Sequence, residues 1–250
     1  MILLVVATLS ACTEENGEDT TPTPVAPTCT VNSISQLNDG SPWNVTLTYN
    51  TQGALTKLVD PDGTISFNYE NGKLKSMGYD GVLIGEFSYG SGPYPNKFTV
   101  SEDGYTFYME LTYEGDNIVR INYHDVTDGV DLLESYTILE YNSAGNVTSV
   151  SNNYYDEDTK SYYESTTTGI TTDNKKNPYA TNFTLKFYEL LDGDEINVGT
   201  NNPVTARYNY DGTGIDVINT YTYNEEGYPT KRVETGFSSE TTYNYNYNCK

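Results

Sequence analysis

The strongest constraint on the fold is a hairpin unit that recurs along most of the chain. In each unit a tyrosine ends a stretch of alternating residues, a polar turn with glycine follows, and an apolar residue opens the next stretch. Full units begin at Tyr49, Tyr141 and Tyr223, and shorter units begin at Tyr69 and Tyr113. One hairpin cannot bury its apolar face alone, so we expect the units to pair edge to edge.

Apolar and polar residues alternate between these turns, which predicts half-buried strands. Period two dominates from Val45 to Cys249. The turns recur at the spacing of all-β domains and predict about a dozen strands or more. We therefore expect residues 30–250 to form a single all-β domain, a long antiparallel meander that is strongly curved or closed as a barrel.

One segment departs from this period. Phe183, Phe187, Leu190 and Leu191 fall near helical spacing, which predicts one short helix near residues 178–191. A helix-containing crossover here would plug or cap one end of a barrel. The alternative is another irregular strand pair.

The hairpin units resemble the tyrosine-aspartate repeats of Rhs-type proteins. The chain from Trp43 to Cys249 resembles an uncharacterised family of Bacteroidetes lipoproteins described as having a porin-like fold. This resemblance implies a long antiparallel meander and brings no known activity. A membrane barrel needs an unbroken lipid-facing apolar band with two aromatic girdles. Here the apolar faces are short and tyrosine is spread along whole strands, so we expect a soluble barrel with its apolar side inward. An outer-membrane pore is the alternative.

The composition excludes several classes of function. The 250 residues carry 35 Asp and Glu against 13 Lys and Arg, a net charge of -22, so the chain repels phosphate backbones and nucleic acid is not an expected partner. A single histidine, His124, and three cysteines cannot build a multi-histidine or four-thiolate metal site. No pair of carboxyl groups stands out as catalytic, so we predict no catalytic residue, metal or cofactor.

Residues 1–11 have the pattern of a cleaved signal peptide. The apolar run from Ile2 to Leu9 is far shorter than the ~20 residues of a membrane-spanning helix. With Ser10, Ala11 and Cys12 it resembles the bacterial lipoprotein lipobox. This resemblance implies cleavage before Cys12 and attachment of lipid, including acyl chains such as palmitate, at that residue. The alternative is an ordinary secretory signal with an unrelated cysteine.

Residues 12–29 are predicted to be a lipidated, flexible tether, because Thr20–Thr28 is rich in Thr and Pro and cannot bury apolar surface. The acidic residues behind Cys12 resemble the export signal that directs Bacteroidetes lipoproteins to the outer face of the outer membrane; a solvated linker is the alternative. Asp19-Thr20-Thr21 resembles the acceptor of Bacteroidetes O-glycosylation, which implies a sugar on Thr20. We expect an outer membrane lipoprotein that is surface-exposed rather than periplasmic, with the membrane as a partner through the anchor.

Two cysteines remain once Cys12 is assigned to lipid. Cys29 precedes the first predicted strand and Cys249 closes the last, and two thiols in an oxidising compartment tend to pair. A disulfide between them would close a loop of nearly the whole domain, worth about 5 kcal/mol in the entropic model. Two buried free thiols are the alternative.

The tyrosines carry the main functional hypothesis. Most fall on the inward face, whereas five break that rule and form the predicted binding surface: Tyr108, Tyr154, Tyr155, Tyr162 and Tyr163. His124 is expected to be a surface residue. We predict a monomeric, non-catalytic module that binds a glycan or a protein or has a structural role. The rival hypotheses are a carbohydrate-active enzyme, with two carboxyl groups facing each other across a cleft, and an outer-membrane pore.

Overall fold

The computed structural model describes residues 29–249 except residues 39, 103, 181 and 238. The predicted signal peptide, the lipid site Cys12 and the glycan site Thr20 lie outside the described residues. The predictions about them therefore stay predictions.

Sixteen antiparallel strands form one closed barrel in the described part of the chain. Each strand pairs with its neighbours in the sequence, and β1 pairs with β16. The strands are β1 (Cys29–Asn38), β2 (Ser41–Tyr49), β3 (Leu55–Val59), β4 (Thr64–Glu70), β5 (Lys73–Tyr79), β6 (Val82–Tyr89), β7 (Pro95–Glu102), β8 (Tyr105–Glu114), β9 (Asn117–Thr127), β10 (Val130–Tyr141), β11 (Val147–Asp156), β12 (Ser161–Thr172), β13 (Pro203–Tyr210), β14 (Thr213–Tyr223), β15 (Pro229–Thr235) and β16 (Thr241–Cys249). The predicted all-β meander and its closure as a barrel are confirmed.

The segment between β12 and β13 contains helix α1 (Phe183–Asp192) and a 3₁₀ helix (Glu195–Val198). Helix α1 begins after Asn182, whose side chain accepts a hydrogen bond from the backbone N–H of Leu185 at 3.2 Å. It ends at Gly193, which adopts the left-handed conformation at φ 83°. The predicted short helix is therefore confirmed, and the alternative of an irregular strand pair is wrong.

The recurring hairpin unit has a defined turn geometry. The side-chain oxygen of Asn142 accepts hydrogen bonds from the backbone N–H groups of Ala144 (2.9 Å) and Asn146 (3.1 Å), while Gly145 adopts φ 77°. An asparagine that bonds its own turn and a glycine at positive φ are what this turn requires. Asn50 with Gly53 repeats both bonds, and Asn224 with Gly227 repeats the second, from the backbone N–H of Tyr228 at 2.8 Å.

The barrel closes where its first and last strands meet. Cys29 and Cys249 lie directly opposite each other in the β1–β16 register and form a disulfide. The predicted pairing is confirmed, and the alternative of free thiols is wrong. Because the bond lies on the closing strand pair, it joins the two edges that would otherwise be free to separate.

The two ends of the barrel differ. The turns after β2, β4 and the other even-numbered strands lie at one end, and residues 173–202 enter the barrel there. Asn182 Nδ2 donates to the carbonyl of Gly53 (3.3 Å), and Thr200 Oγ1 donates to that of Gly145 (3.2 Å). We call this the closed end, and we call the opposite end, formed by the turns after the odd-numbered strands, the open end.

Helix α1 fills the interior of the barrel. Phe187 is fully buried, and its ring lies 5.0 Å from that of Phe87 and 5.5 Å from that of Phe98, centroid to centroid. Inward-facing side chains of most strands join this core, which shows that the sheet buries its apolar side against the helix. Among the described residues there is no helix with the length and apolar character to cross a membrane.

Candidate functional site

A cavity of about 230 Å³ lies inside the barrel, between α1 and the wall formed by β1, β2, β3, β15 and β16. Trp43, Tyr188 and Tyr243 supply aromatic surface, and Gln36 supplies an amide. Asp192 also lines the cavity and is exposed, so the cavity reaches solvent. Gln36 and Trp43 flank the β1–β2 turn, which places the cavity toward the open end.

Arg232 is the cation of this cavity and is only 4% exposed. Its Nη1 donates to Asn197 Oδ1 at 3.3 Å, and its Nη2 lies 3.8 Å from Glu234 Oε2. Its guanidinium stacks 3.7 Å above the ring centroid of Tyr243. Its Nε has no hydrogen-bond partner among the described residues, so a buried donor is left unused beside the cavity.

Three carboxyl groups line the same cavity. Glu189 is buried and accepts a hydrogen bond from Asn197 Nδ2 at 3.0 Å, and burial raises its pKa well above the ordinary range. Burial raises the pKa of Asp194 to about 6, although Arg232 opposes this rise. Burial, and to a lesser degree the charge of Asp60, also raises the pKa of Asp192. Clustered carboxyl groups with raised pKa values in a cavity mark a candidate functional site.

The rim of the open end carries exposed apolar and aromatic side chains. Fourteen large hydrophobic side chains are exposed in the described part of the chain, and twelve of them lie in an open-end turn or within three residues of the adjoining strand end. They are Leu37, Tyr79, Val82, Leu83, Tyr105, Val130, Tyr154, Tyr162, Tyr163, Tyr210, Ile215 and Phe237. We call these twelve side chains the aromatic rim. Exposed apolar and aromatic side chains concentrated at one end of a molecule are typical of an interaction surface.

The open-end turns are also strongly acidic. Their described residues include eight carboxylates and one cation, Lys160. The carboxylates belong to Asp60, Asp62, Asp80, Asp128, Glu157, Asp158, Asp211 and Glu240. This end of the barrel therefore has a negative potential around the mouth of the cavity.

Four of the five tyrosines predicted as a binding surface lie near the β11–β12 turn at the open end. Tyr154 and Tyr163 pair across the two strands, and their rings stack 5.3 Å apart. They lie on the inner-facing register, in contrast to the outward position expected from the sequence. Tyr155 and Tyr162 form the next pair and face outward. Whether these tyrosines bind a ligand stays a prediction.

The fifth, Tyr108, lies on the outer wall and is covered by its neighbours. Its ring stacks 4.4 Å from that of His124, and Lys97 Nζ lies 3.3 Å from its centroid. Its hydroxyl donates to Asp131 at 2.6 Å, and His124 Nδ1 lies 2.9 Å from the same carboxylate. Burial and the hydrogen bond to Asp131 raise the pKa of Tyr108 to about 12. These contacts leave Tyr108 8% exposed.

One cluster of metal-ligand types occurs among the described residues, formed by Cys29, Glu226 and Cys249. Both sulfurs belong to the disulfide and are not thiolate ligands. This cluster therefore has no role as a metal site while the disulfide is intact.

Solved structures with the same architecture exist. No protein-family model and no curated protein matches the chain. A porin-like protein from Bacteroides vulgatus ATCC 8482 is 16% identical with a TM-score of 0.62, over 88% of this chain and 99% of that one. A porin-like protein from Bacteroides uniformis ATCC 8492 is 13% identical with a TM-score of 0.59, over 87% and 98%. The resemblance to a porin-like fold is confirmed, and at these identities it concerns the fold alone.

Proposed function

We propose that this protein is a lipid-anchored, non-catalytic binding module of the bacterial cell envelope, with its ligand site at the open end of the barrel. The observation that carries the proposal is the solvent-reaching cavity beside Trp43 and Arg232, surrounded by the aromatic rim. Concave sites with aromatic walls and a few convergent polar groups are where proteins bind ligands.

The position of Cys29 indicates which end of the barrel would face the membrane in an anchored protein. Cys29 lies at the closed end, so a lipid on Cys12 would hold the closed end toward the membrane. The open end would then face away from the bilayer. A location on the outer membrane is consistent with the two similar barrels from Bacteroides, and is part of the proposal.

Processing and location have direct tests. We expect mass spectrometry of the purified protein to find Cys12 as the modified first residue, and Cys12→Ala to release the protein from the membrane fraction. Degradation of the protein by protease added to intact cells would support surface exposure. An unmodified Cys12 would contradict the anchor, and resistance to protease would indicate a periplasmic location.

Ligand binding has a built-in reporter, because Trp43 is the sole tryptophan of the chain and lines the cavity. A chain beginning at Thr13 retains every strand pair of the barrel and the disulfide. We expect ligands selected from glycan and peptide libraries to change its tryptophan emission. In the same ligand titration, the Tyr154→Ala and Tyr163→Ala variants should bind these ligands more weakly than the unsubstituted protein. Ligands that bind with no change in emission and no sensitivity to these variants would contradict an open-end site.

A carbohydrate-active enzyme is the second candidate, and one observation favours it. Glu189 and Asp194 line the cavity, and their raised pKa values suit a general acid. This function predicts that the protein hydrolyses a glycan and that Glu189→Gln abolishes hydrolysis. Binding of the same glycan without any cleavage supports the non-catalytic module.

An outer-membrane pore has less support. The interior is filled by α1, with Phe187 and Leu185 fully buried against the wall. A pore requires a water-filled interior and an apolar outer band. The test is whether the chain from Thr13 stays soluble and monomeric without detergent, as the binding module predicts.

A further inference from the structure

We infer that the open end binds a lysine- or arginine-bearing segment of a partner protein, with one cationic side chain entering the cavity beside Trp43. This inference rests on the proposed function, because it names the ligand class of the same site. It is argued from the charge and the aromatic surface of the described residues.

The cavity is lined by more acidic than basic groups. Glu189, Asp192 and Asp194 line it together with one cation, Arg232. In the Arg232 guanidinium, Nη1 donates to Asn197, Nη2 faces Glu234, and the plane lies over the ring of Tyr243; Nε alone has no partner among the described residues. The cavity therefore retains an excess of carboxyl oxygens that can accept hydrogen bonds from an entering ammonium or guanidinium group.

The protein's own cations are unevenly distributed between the two ends of the barrel. Of the twelve described Lys and Arg residues, Lys160 and Arg207 lie in the open-end turns or the strand halves that adjoin them. Lys57 and Arg232 lie at the midpoints of β3 and β15, and Arg232 lines the cavity. Arg207 is paired with Asp216, its Nη1 2.8 Å from the carboxylate. With eight carboxylates in the turns, the field at this end attracts cations and repels anions.

Aromatic side chains at the open end add to the attraction for a cation. Trp43, Tyr188 and Tyr243 line the cavity, and tyrosine is the commonest residue of the aromatic rim. Aromatic faces attract ammonium and guanidinium groups, most strongly at tryptophan. The protein already uses this contact internally, since Lys97 lies over Tyr108 and Arg232 over Tyr243. A lysine or arginine side chain would also place its apolar stem against the rim.

These features distinguish the partner from other ligands. An anionic polymer would be repelled by the carboxylates of the open-end turns. A neutral glycan would gain from the aromatic faces but not from the charge, so its affinity would not depend on salt. Salt dependence combined with the sign of the ligand therefore separates the three classes.

The test uses the chain from Thr13 to Lys250 with its disulfide intact. Its four probes, none of which contains tyrosine or tryptophan, are hexalysine, hexaarginine, hexaglutamate and maltohexaose. Trp43 emission and sedimentation report binding. We expect both cationic peptides to bind and to change the emission, with affinity falling about tenfold or more between 50 and 500 mM NaCl, as expected for screened charge pairs. Hexaglutamate should not bind.

Matched variants locate the site. Asp192→Asn with Asp194→Asn removes two carboxylates at the cavity and should weaken cationic-peptide binding about tenfold or more. Glu225→Gln with Glu226→Gln removes the same charge from the β14–β15 turn at the closed end and should leave binding unchanged. Circular dichroism establishes that each doubly substituted protein is folded before binding is compared.

Each outcome supports or overturns the inference. Cationic-peptide binding that is lost in the cavity pair and retained in the closed-end pair supports it. Equal loss in both pairs, or no binding of either cationic peptide, overturns it. Binding of maltohexaose without salt dependence, lost in Tyr154→Ala, would overturn the cationic partner and retain the proposed open-end site. Binding at the closed end alone would overturn both.

Discussion

The hydroxyl of Tyr113, near the end of β8, donates a hydrogen bond to the carbonyl of Pro95, the first residue of β7, at 2.7 Å. Five further tyrosines near the ends of even-numbered strands make the equivalent bond to the start of the preceding strand. The pairs are Tyr69–Leu55, Tyr89–Leu74, Tyr141–Ile118, Tyr221–Pro203 and Tyr247–Pro229. In three of the five recurring units, those of Tyr69, Tyr113 and Tyr141, the tyrosine hydroxyl therefore ties its strand to the start of the preceding one, whereas the hydroxyl of Tyr223 donates to Asp173.

Tyr113→Phe tests how much this hydrogen bond contributes to stability. The substitution keeps the ring and leaves the Pro95 carbonyl without its donor, so we expect a loss of about 1–2 kcal/mol in the free energy of unfolding. Tyr105→Phe is the matched control, because Tyr105 is 43% exposed at the open end. Urea denaturation measures both. Equal stability of the two variants would contradict a structural role for the Tyr113 hydroxyl.

The disulfide between Cys29 and Cys249 should stabilise the barrel strongly. It spans 220 residues of sequence, and the entropic model assigns about 5 kcal/mol to a loop of this size. We expect dithiothreitol to lower the denaturation midpoint of the protein. The double variant Cys29→Ser with Cys249→Ser should start at the lower midpoint and show no response to the reductant. A midpoint that is insensitive to reduction would show that β1–β16 pairing alone holds the closure.

Stability should decrease as the pH rises from 5 to 8. Burial raises the pKa of Glu195 to about 7 and that of Asp194 to about 6, so between about pH 4 and pH 7 the folded protein holds more protons than the unfolded chain. Stability then falls with pH across this window. We expect Tm to fall by about 5 °C or more, since 1 kcal/mol corresponds to roughly 2–4 °C in a domain of this size.

Glu195→Gln is the control for this pH dependence, because it removes one of the two groups without changing the size of the side chain. The variant should show a shallower fall of Tm between pH 5 and pH 8 than the unsubstituted protein. A Tm that rises over this interval in the unsubstituted protein would exclude buried protonated carboxyl groups.

Arg232→Met should be costly, and more so at high pH. The substitution removes the cation that faces Glu189, Asp194 and Glu234, and loss of one partner of a buried ionic group costs about 3–5 kcal/mol. At pH 5 the raised pKa values allow the carboxyl groups to take up protons, so the loss should be smaller than at pH 8. Thermal melts at the two pH values measure the difference. An equal loss at both would mean that packing against Tyr243, rather than charge, is the main contribution of Arg232.

The fold was predictable because its determinants are local. The alternation around Met109 and the Asn142-Gly145 type of turn each specify one hairpin, and a chain of such hairpins has few other ways to bury its apolar faces. The cysteines near the two chain ends then predicted the closing strand pair. The exact number of sixteen strands was not predictable, because short strands such as β3, with five residues, show little alternation.

The cavity was not predictable in the same way. Glu189 and Asp194 lie in the helical segment, whereas Trp43 and Arg232 lie on strands far away in the sequence, and only the docking of α1 brings them together. A carboxylate beside Leu190 on an apolar helix was the available signal. For the tyrosines, Tyr154 and Tyr155 are adjacent, so one must face inward, and local sequence does not specify which.

The even number of strands has a practical consequence. Because β1 and β16 run antiparallel, the chain enters and leaves the barrel on one side, at the closed end. A fluorescent protein or affinity tag appended after Cys249 would therefore sit beside Cys29, at the closed end. Such a fusion leaves the mouth of the barrel unobstructed, so immobilised or displayed copies would all present the same surface to solution.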